Sequence, residues 1–261
     1  MEKKLLFIDI DGTLFDNEGD CVHESTIEAL RKLNQNKDIY VCIASGRSSE
    51  SANEVINRYQ LLFDGYVLIN GQVVILNDEV IYKNPLSQKF IDDFVEECNR
   101  LNVPYGLISN SLSIVSSHHP MVVDSFHNFK MALPKVAEEL DLQNEFFQGL
   151  FFDMNHFDHF VNKFKGEVRF YPWMLNDGAD VIPVGSSKAV GLEKIREALN
   201  IKRENVYAVG DSTNDIEMLE YAHVGIAMGN GKEELKKVAD FVTDHINQDG
   251  LAKALKKYNL I

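Results

Sequence analysis

The chain has 261 residues, 45% of them hydrophobic and 25% charged, with a formal net charge of -14. This is ordinary globular composition, with length for one large domain or two modest ones. So acidic a balance repels a phosphate backbone and argues against a nucleic-acid-coating protein, but a small phosphorylated metabolite stays compatible if a few cations and a metal sit in one cleft.

Cys21, Cys42 and Cys98 are an odd number without close spacing, and Cys42 lies inside the apolar run IYVCIA. Neither a disulfide framework nor a cysteine metal site is expected from them. The N-terminus runs from MEKK straight into a strand without a signal-peptide pattern, and no apolar run approaches the roughly 18 residues of a membrane span. The expectation is a soluble cytoplasmic protein with no membrane partner, monomeric or a small homo-oligomer.

Leu5 to Ile8 read as a fully buried strand. A helix is predicted from near Ser25, where STIE has the capping-box pattern with Glu28 three residues on, followed by Ile27, Leu30 and Leu33 at helical spacing. Residues 38–44 (DIYVCIA) form a second buried strand ending at SGR, and a helix over Ser49–Tyr59 leads to YVLI and to two short strands, QVVIL and EVIY, around Asn77-Asp78. The character then changes. SQKFIDDFVEECNRL is a helix with Phe90, Ile91, Phe94, Val95, Cys98 and Leu101 on one face. Strand-like stretches follow at YGLIS, LSIVSS and FFQGLFFDM, then a helix carrying Phe157, Phe160, Val161 and Phe164, then strands EVRFYPWM and ADVIP. The alternation resumes with a helix over Lys188–Leu199, strand NVYAVGD, a helix over Asn214–Tyr221, strand VGIAM and a last helix near Leu251–Tyr258. Strands alternating with helices predict a parallel sheet with helical crossovers. The fold class is therefore α/β: a core made from residues 1–83 and 183–261, with an α+β unit inserted at 84–182.

Two strands end in acid, the first at Asp9 and Asp11, and YAVGD at Asp211 with Asp215 one helical turn later. Ligands of open parallel sheets bind outside the carboxyl ends of the strands. Several carboxylates aimed at one crevice repel unless something cationic joins them, and hard oxygen donors suit Mg2+. Ser45, Gly46 and Arg47 end another strand, giving a hydroxyl, a flexible backbone N–H and a guanidinium, and Lys188 opens a helix where a lysine and backbone amides can hold phosphate.

In this order DIDGT, SGR, Lys188 and GDSTND resemble the four motifs of the haloacid dehalogenase-like hydrolase superfamily, and the insert, Asn70-Gly71 and GDSTNDIEMLEYAHVGIAMGNG resemble its Cof-type branch, which includes sugar-phosphate phosphatases. The resemblance implies a Rossmann-like, doubly wound core carrying a cap that reads the substrate and moves over the cleft. It implies Asp9 as nucleophile, forming an aspartyl-phosphate, and Asp11 as the acid and base for the leaving alcohol and attacking water. It implies Mg2+ held by the Asp9 carboxylate, the Asp11 backbone carbonyl and the Asp211 carboxylate, with Asp215 on a metal water or behind the ligands. Ser45, Lys188 and Asn214 would hold the phosphoryl oxygens with the backbone N–H groups near Ile10 and Gly46. Arg47 reaches the substrate, braces the closed cap or makes a surface ion pair.

Other candidates read as structural. His156 and His159 lie three apart on a helix without an obvious third metal ligand, His118-His119 sit in a loop, and Tyr171 and Trp173 read as strand core. SSKAVG lacks the rest of a nucleotide-binding P-loop. The leading function is a Mg2+-dependent phosphatase for small phosphate monoesters. A phosphomutase, which Asp11 equally allows, and a non-catalytic metabolite-binding protein on the same fold are the alternatives.

Overall fold

The structure, a computed structural model, describes residues 2–128, 131–138, 142, 144–173 and 177–261. In chain order the first elements are β1 (Lys4–Ile8), α1 (Glu24–Gln35), β2 (Ile39–Ala44), α2 (Ser49–Arg58), β3 (Gly65–Leu68), β4 (Val73–Leu76) and β5 (Glu79–Lys83). Next come α3 (Gln88–Leu101), β6 (Tyr105–Ile108), β7 (Ser113–Val115), α4 (Pro120–Asn128), β8 (Lys135–Val136), β9 (Gln148–Phe151), α5 (Phe157–Lys163), β10 (Val168–Pro172) and β11 (Ala179–Pro183). The last group is α6 (Lys188–Ala198), β12 (Val206–Gly210), α7 (Ile216–Tyr221), β13 (Val224–Ala227), α8 (Glu233–Val238), β14 (Phe241–Val242) and α9 (Gly250–Lys257).

Two compact units result, Met1–Lys83 with Ser187–Ile261, and Asn84–Ser186. The first holds an eight-stranded sheet in the order β14-β13-β12-β1-β2-β3-β4-β5. Its strands from β14 to β3 are parallel, while β3, β4 and β5 form an antiparallel edge. The central β1 is covered on both faces, which is why Leu5, Leu6, Phe7 and Ile8 are fully buried and the strand reads as an unbroken apolar run. Chain order reverses between β1 and β12, whose registers bring Ile8 beside Val209. In a doubly wound sheet the crevice at such a reversal is where ligands go. Asn77 and Asp78 both adopt positive φ, 52° and 64°, the two-residue turn whose twist matches an antiparallel hairpin.

The second unit has a six-stranded sheet, β10-β11-β9-β6-β7-β8, antiparallel except where β7 meets β8. Its core is aromatic. Phe94 of α3 packs edge-on against Tyr105, Phe160 and Phe164 at 5.8–6.0 Å between ring centroids. Ser87 caps α3 by accepting from the Phe90 N–H.

Several sequence expectations change. The capping box at Ser25 does not form: α1 starts at Glu24 with His23 as its N-cap, and the Ser25 hydroxyl instead donates to Asp249 Oδ1 at 2.5 Å. A partner 224 residues away took the hydroxyl that local pattern assigned to the backbone. Helix α4 replaces the open stretch after His118-His119, burying Val122, Ser125 and Phe126. The helix expected over Asn214–Tyr221 is split into a 3-10 turn, Thr213–Asp215, and α7. Of Tyr171 and Trp173 on EVRFYPWM, Trp173 packs edge-on to Phe152 at 5.4 Å, but Tyr171 is 39% exposed. Met174 of that stretch lies outside the described residues. Among the described residues no helix is long and apolar enough to cross a membrane.

Candidate active site

Strand β1 delivers Asp9 to the crevice, and its N–H extends the sheet ladder by donating to Val209 O at 3.0 Å. The chain then folds back sharply, the N–H groups of Leu14 and Phe15 both donating to Ile10 O. Gly12 makes this turn at φ +79°, and a Cβ there would stand 2.4 Å from Asp211 Oδ2. A side chain at residue 12 is therefore excluded twice, by backbone conformation and by the carboxylate pressed against it.

Strand β12 ends beside β1 and delivers Asp211, whose Oδ1 accepts from the Thr13 hydroxyl at 3.2 Å. Asp215 is fully buried. Its Oδ2 accepts the N–H groups of Asp211 and Ser212 at 2.9 and 3.0 Å, and its Oδ1 accepts from Lys188 Nζ at 2.6 Å. Lys188, the first residue of α6 and 1% exposed, also donates to Asp9 Oδ1 at 2.6 Å. One carboxylate oxygen from each of Asp9, Asp211 and Asp215 lies within 4.8 Å of the others.

Burial and repulsion set the charge of this cluster. Enclosure first, and then the neighbouring carboxylates, pushes the Asp9 carboxyl well above its usual range despite Lys188. Burial, then Asp215, pushes Asp211 up to about 7. Burial alone would lower Lys188, but Asp215 and Asp9 more than reverse it and keep the ammonium charged. The site holds more carboxylate than its lysine can neutralise.

Asp11 faces a different partner. Arg47 grips it with both arms, Nε to Oδ2 at 2.8 Å and Nη2 to Oδ1 at 2.7 Å, while Nη1 donates to Ser51 O. Of the readings left open for Arg47, the geometry is a partly buried ion pair inside the crevice rather than a surface one. The Ser45 hydroxyl accepts the Arg47 N–H at 3.1 Å. Asn214 donates to Asn70 Oδ1 at 3.0 Å, and Gly46 keeps its backbone against Asn70, where a Cβ would come to 3.3 Å of the same oxygen. Asn70 itself takes the left-handed conformation, φ 54°. Two residues not singled out from sequence complete the frame: Thr13, above, and Asn230, which donates to Gly12 O at 2.7 Å and accepts from the Ile246 N–H at 2.9 Å. Asn230 bridges segments more than 200 residues apart, so local pattern held no signal for it beyond its place in MGNG.

The histidine candidates separate. His156 Nδ1 is 2.7 Å from Asp153, and His159 Nε2 is 2.5 Å from Glu97, so the two rings have different partners. His118 Nε2 lies 3.0 Å from Pro134 O.

A parallel sheet with acids at the carboxyl ends of the two strands flanking its reversal, tied by one buried lysine, defines a hydrolase of the Rossmann-like, haloacid dehalogenase type. The chain belongs to the haloacid dehalogenase-like hydrolase family, whose model matches residues 6–255. It is 34% identical over 262 residues, spanning all of both chains, to the Bacillus subtilis (strain 168) protein named "Putative phosphatase YkrA". Among solved structures it resembles BT1666 of Bacteroides thetaiotaomicron, a phosphatase of the same superfamily, with 32% identity, TM-score 0.89, and coverage of 100% of this chain and 96% of that one. It also resembles the subclass IIB sugar phosphatase BT4131, with 32% identity, TM-score 0.85, and coverage of 99% and 100%. The chain is a phosphatase of this superfamily, Cof-type.

Proposed function

We propose that the protein hydrolyses sugar phosphates or closely similar small monoesters with Mg2+, through an aspartyl-phosphate on Asp9. The observation that carries this reading is the surplus of buried carboxylate around Lys188. Three clustered carboxylates and one ammonium fit a divalent cation by charge and by donor type, since Mg2+ takes oxygen ligands. Asp9, Asp211 and the Asp11 carbonyl would hold it, with Asp215 fixing Lys188 and the Asp211 backbone from behind. The ion would supply positive charge against the phosphoryl oxygens.

The chain's own residues then divide the work. Asp9 attacks phosphorus, the ester oxygen leaves, and Asp11 supplies its proton. Water later attacks the aspartyl-phosphate, Asp11 takes the water proton, and Asp9 is regenerated with release of phosphate. Lys188, placed against Asp9, is positioned to balance charge on the transferring oxygens, assisted by Ser45, Asn214 and the N–H groups near Ile10 and Gly46. Arg47 adds a condition. The guanidinium fork holds both Asp11 oxygens, so Arg47 must free one of them before it can face the substrate. The inserted unit, Asn84–Ser186, is proposed to read the leaving group. The likeness of the whole chain to the sugar phosphatase BT4131 supports sugar phosphates as the first substrate class.

The deciding experiment measures phosphate release with Mg2+ across sugar phosphates, nucleotides, pyridoxal phosphate and flavin mononucleotide, with a chelator control. Chelator-sensitive release strongest on sugar phosphates supports the reading. Isomerised sugar phosphate without free phosphate would make the protein a mutase, and full activity in chelator would remove the metal.

A further inference from the structure

The loop joining β1 to α1 gathers three side chains of different chemistry outside the catalytic crevice. Asp16 and Cys21 pair backbone to backbone in both directions, N to O at 2.8 and 3.2 Å, closing a short hairpin. Residues directly opposite in such a pair present their side chains on one face, and His23, two residues beyond Cys21, shares that face by alternation. A carboxylate oxygen of Asp16, Cys21 Sγ and a ring nitrogen of His23 accordingly lie within 4.8 Å of one another. All three residues are half-buried.

Asp16 is oriented for the cluster. Its Oδ1 accepts the N–H groups of Glu18 and Gly19, both at 3.0 Å, while Oδ2 lies 3.0 Å from His23 Nε2. The Gly19 N–H first, and then His23, holds this carboxyl below its usual range, so it is ionised at neutral pH. An ion pair with a turn would account for Asp16 and His23 but leaves the thiol unexplained. Gly19 is the second observation. A Cβ there would stand 3.1 Å from Asp16 Oδ2 and 3.3 Å from Cys21 Sγ, so a side chain at residue 19 would crowd both candidate ligand atoms.

We propose that Asp16, Cys21 and His23 form a zinc site separate from the carboxylates around Lys188. Tetrahedral zinc sets neighbouring S, N and O ligands roughly 3.3–3.7 Å apart, so separations that are at most 4.8 Å close by no more than about 1.5 Å to complete the set. Sulfur and imidazole nitrogen suit Zn2+ and not Mg2+, which takes oxygen, so the two ions would sort between the two sites by ligand chemistry. Binding displaces the Cys21 thiol proton to solvent, and water completes the fourth position. Because His23 is also the N-cap of α1, the ion would pin the hairpin after Asp11 to the start of that helix. The odd number and wide spacing of the cysteines lead to the expectation of no such site; the hairpin pairing, not the spacing, brings the ligands together.

Cobalt tests this directly. Co2+ added to the purified full chain without Mg2+ should give thiolate-to-metal charge-transfer absorption saturating at one equivalent, bleached by Zn2+. Cys42 and Cys98 are buried, so a thiolate signal reports Cys21. The band should persist in Asp9→Asn, vanish in Cys21→Ser, and need about tenfold or more Co2+ in His23→Gln, since even residues behind a ligand cost that much. No charge-transfer band in the wild type, or a band unchanged by Cys21→Ser, overturns the site.

Discussion

Each unit of the molecule buries one charged group among opposite charges, with the signs reversed. In the unit with the parallel sheet Lys188 lies between Asp9 and Asp215, with Asp211 beside them. In the inserted unit Glu97, 6% exposed at its side chain, receives Arg100, His159 and Lys163. Glu97 is over-supplied with donors, and its carboxyl is held far below the usual range, by Arg100 first and His159 next. Lys188 has too few positive companions, so the acids around it are pushed up instead. A satisfied buried charge is a structural clamp, whereas an unsatisfied cluster is open to a ligand.

That contrast breaks most sharply at Asp9. On the proposed nucleophile role, Asp9→Asn should lower phosphate release by at least about 10^4-fold with the circular dichroism spectrum unchanged. Lys188→Met should cost about 3–5 kcal/mol in urea unfolding at pH 8, because it leaves buried carboxylates without their cation. Asp9 and Asp211 titrate high, so the variant should regain stability as the pH falls and they become neutral. Glu97→Gln should cost only about 1 kcal/mol by the same measurement and leave turnover intact, because its three partners are half-exposed. A loss as large as that of Lys188→Met would erase the distinction between the two clusters.

The smallest effect sharpens the comparison inside the inserted unit, where Asp180 is a half-buried acid with no cation paired to it among the described residues. Burial pushes its carboxyl up to about 6, against the hydrogen bond from Trp173 Nε1 at 2.9 Å. The folded protein therefore keeps this proton between about pH 4 and pH 6 after the unfolded chain has lost it. Its contribution to stability is present below that window and is lost as the pH rises through it. Trp173 is the only tryptophan in the chain, so its fluorescence should titrate near pH 6 and stop doing so in Asp180→Asn. A flat wild-type profile would count against a raised Asp180.

The sequence carried the parts of the fold governed by local chemistry. The apolar run of β1 and the Asn77-Asp78 turn were legible because burial and positive φ leave marks over a few residues. The acid positions were legible too, since Asp9 and Asp211 each follow directly on an apolar strand. What was not legible depends on distant partners: Arg47 closing on Asp11 across 36 residues, Asn214 held by Asn70 across 144, and Ser25 drawn from its helix cap by Asp249 across 224. Helix α4 escaped because it buries only a narrow face, Val122, Ser125 and Phe126, between His119 and the chain beyond it.

The pairing of β1 with β12 also sets a timetable for biosynthesis. Asp9 is made well before its partners, since Lys188 follows 179 residues later and Asp211 later still. Domains fold as units while the ribosome works, so the inserted unit, whose strands pair among themselves, can close first. Until β12 arrives, β1 has only β2 as a neighbour in the sheet, and its apolar edge stands open. The nascent chain thus carries its acid pair inactive through most of translation and gains the lysine only as the sheet is completed.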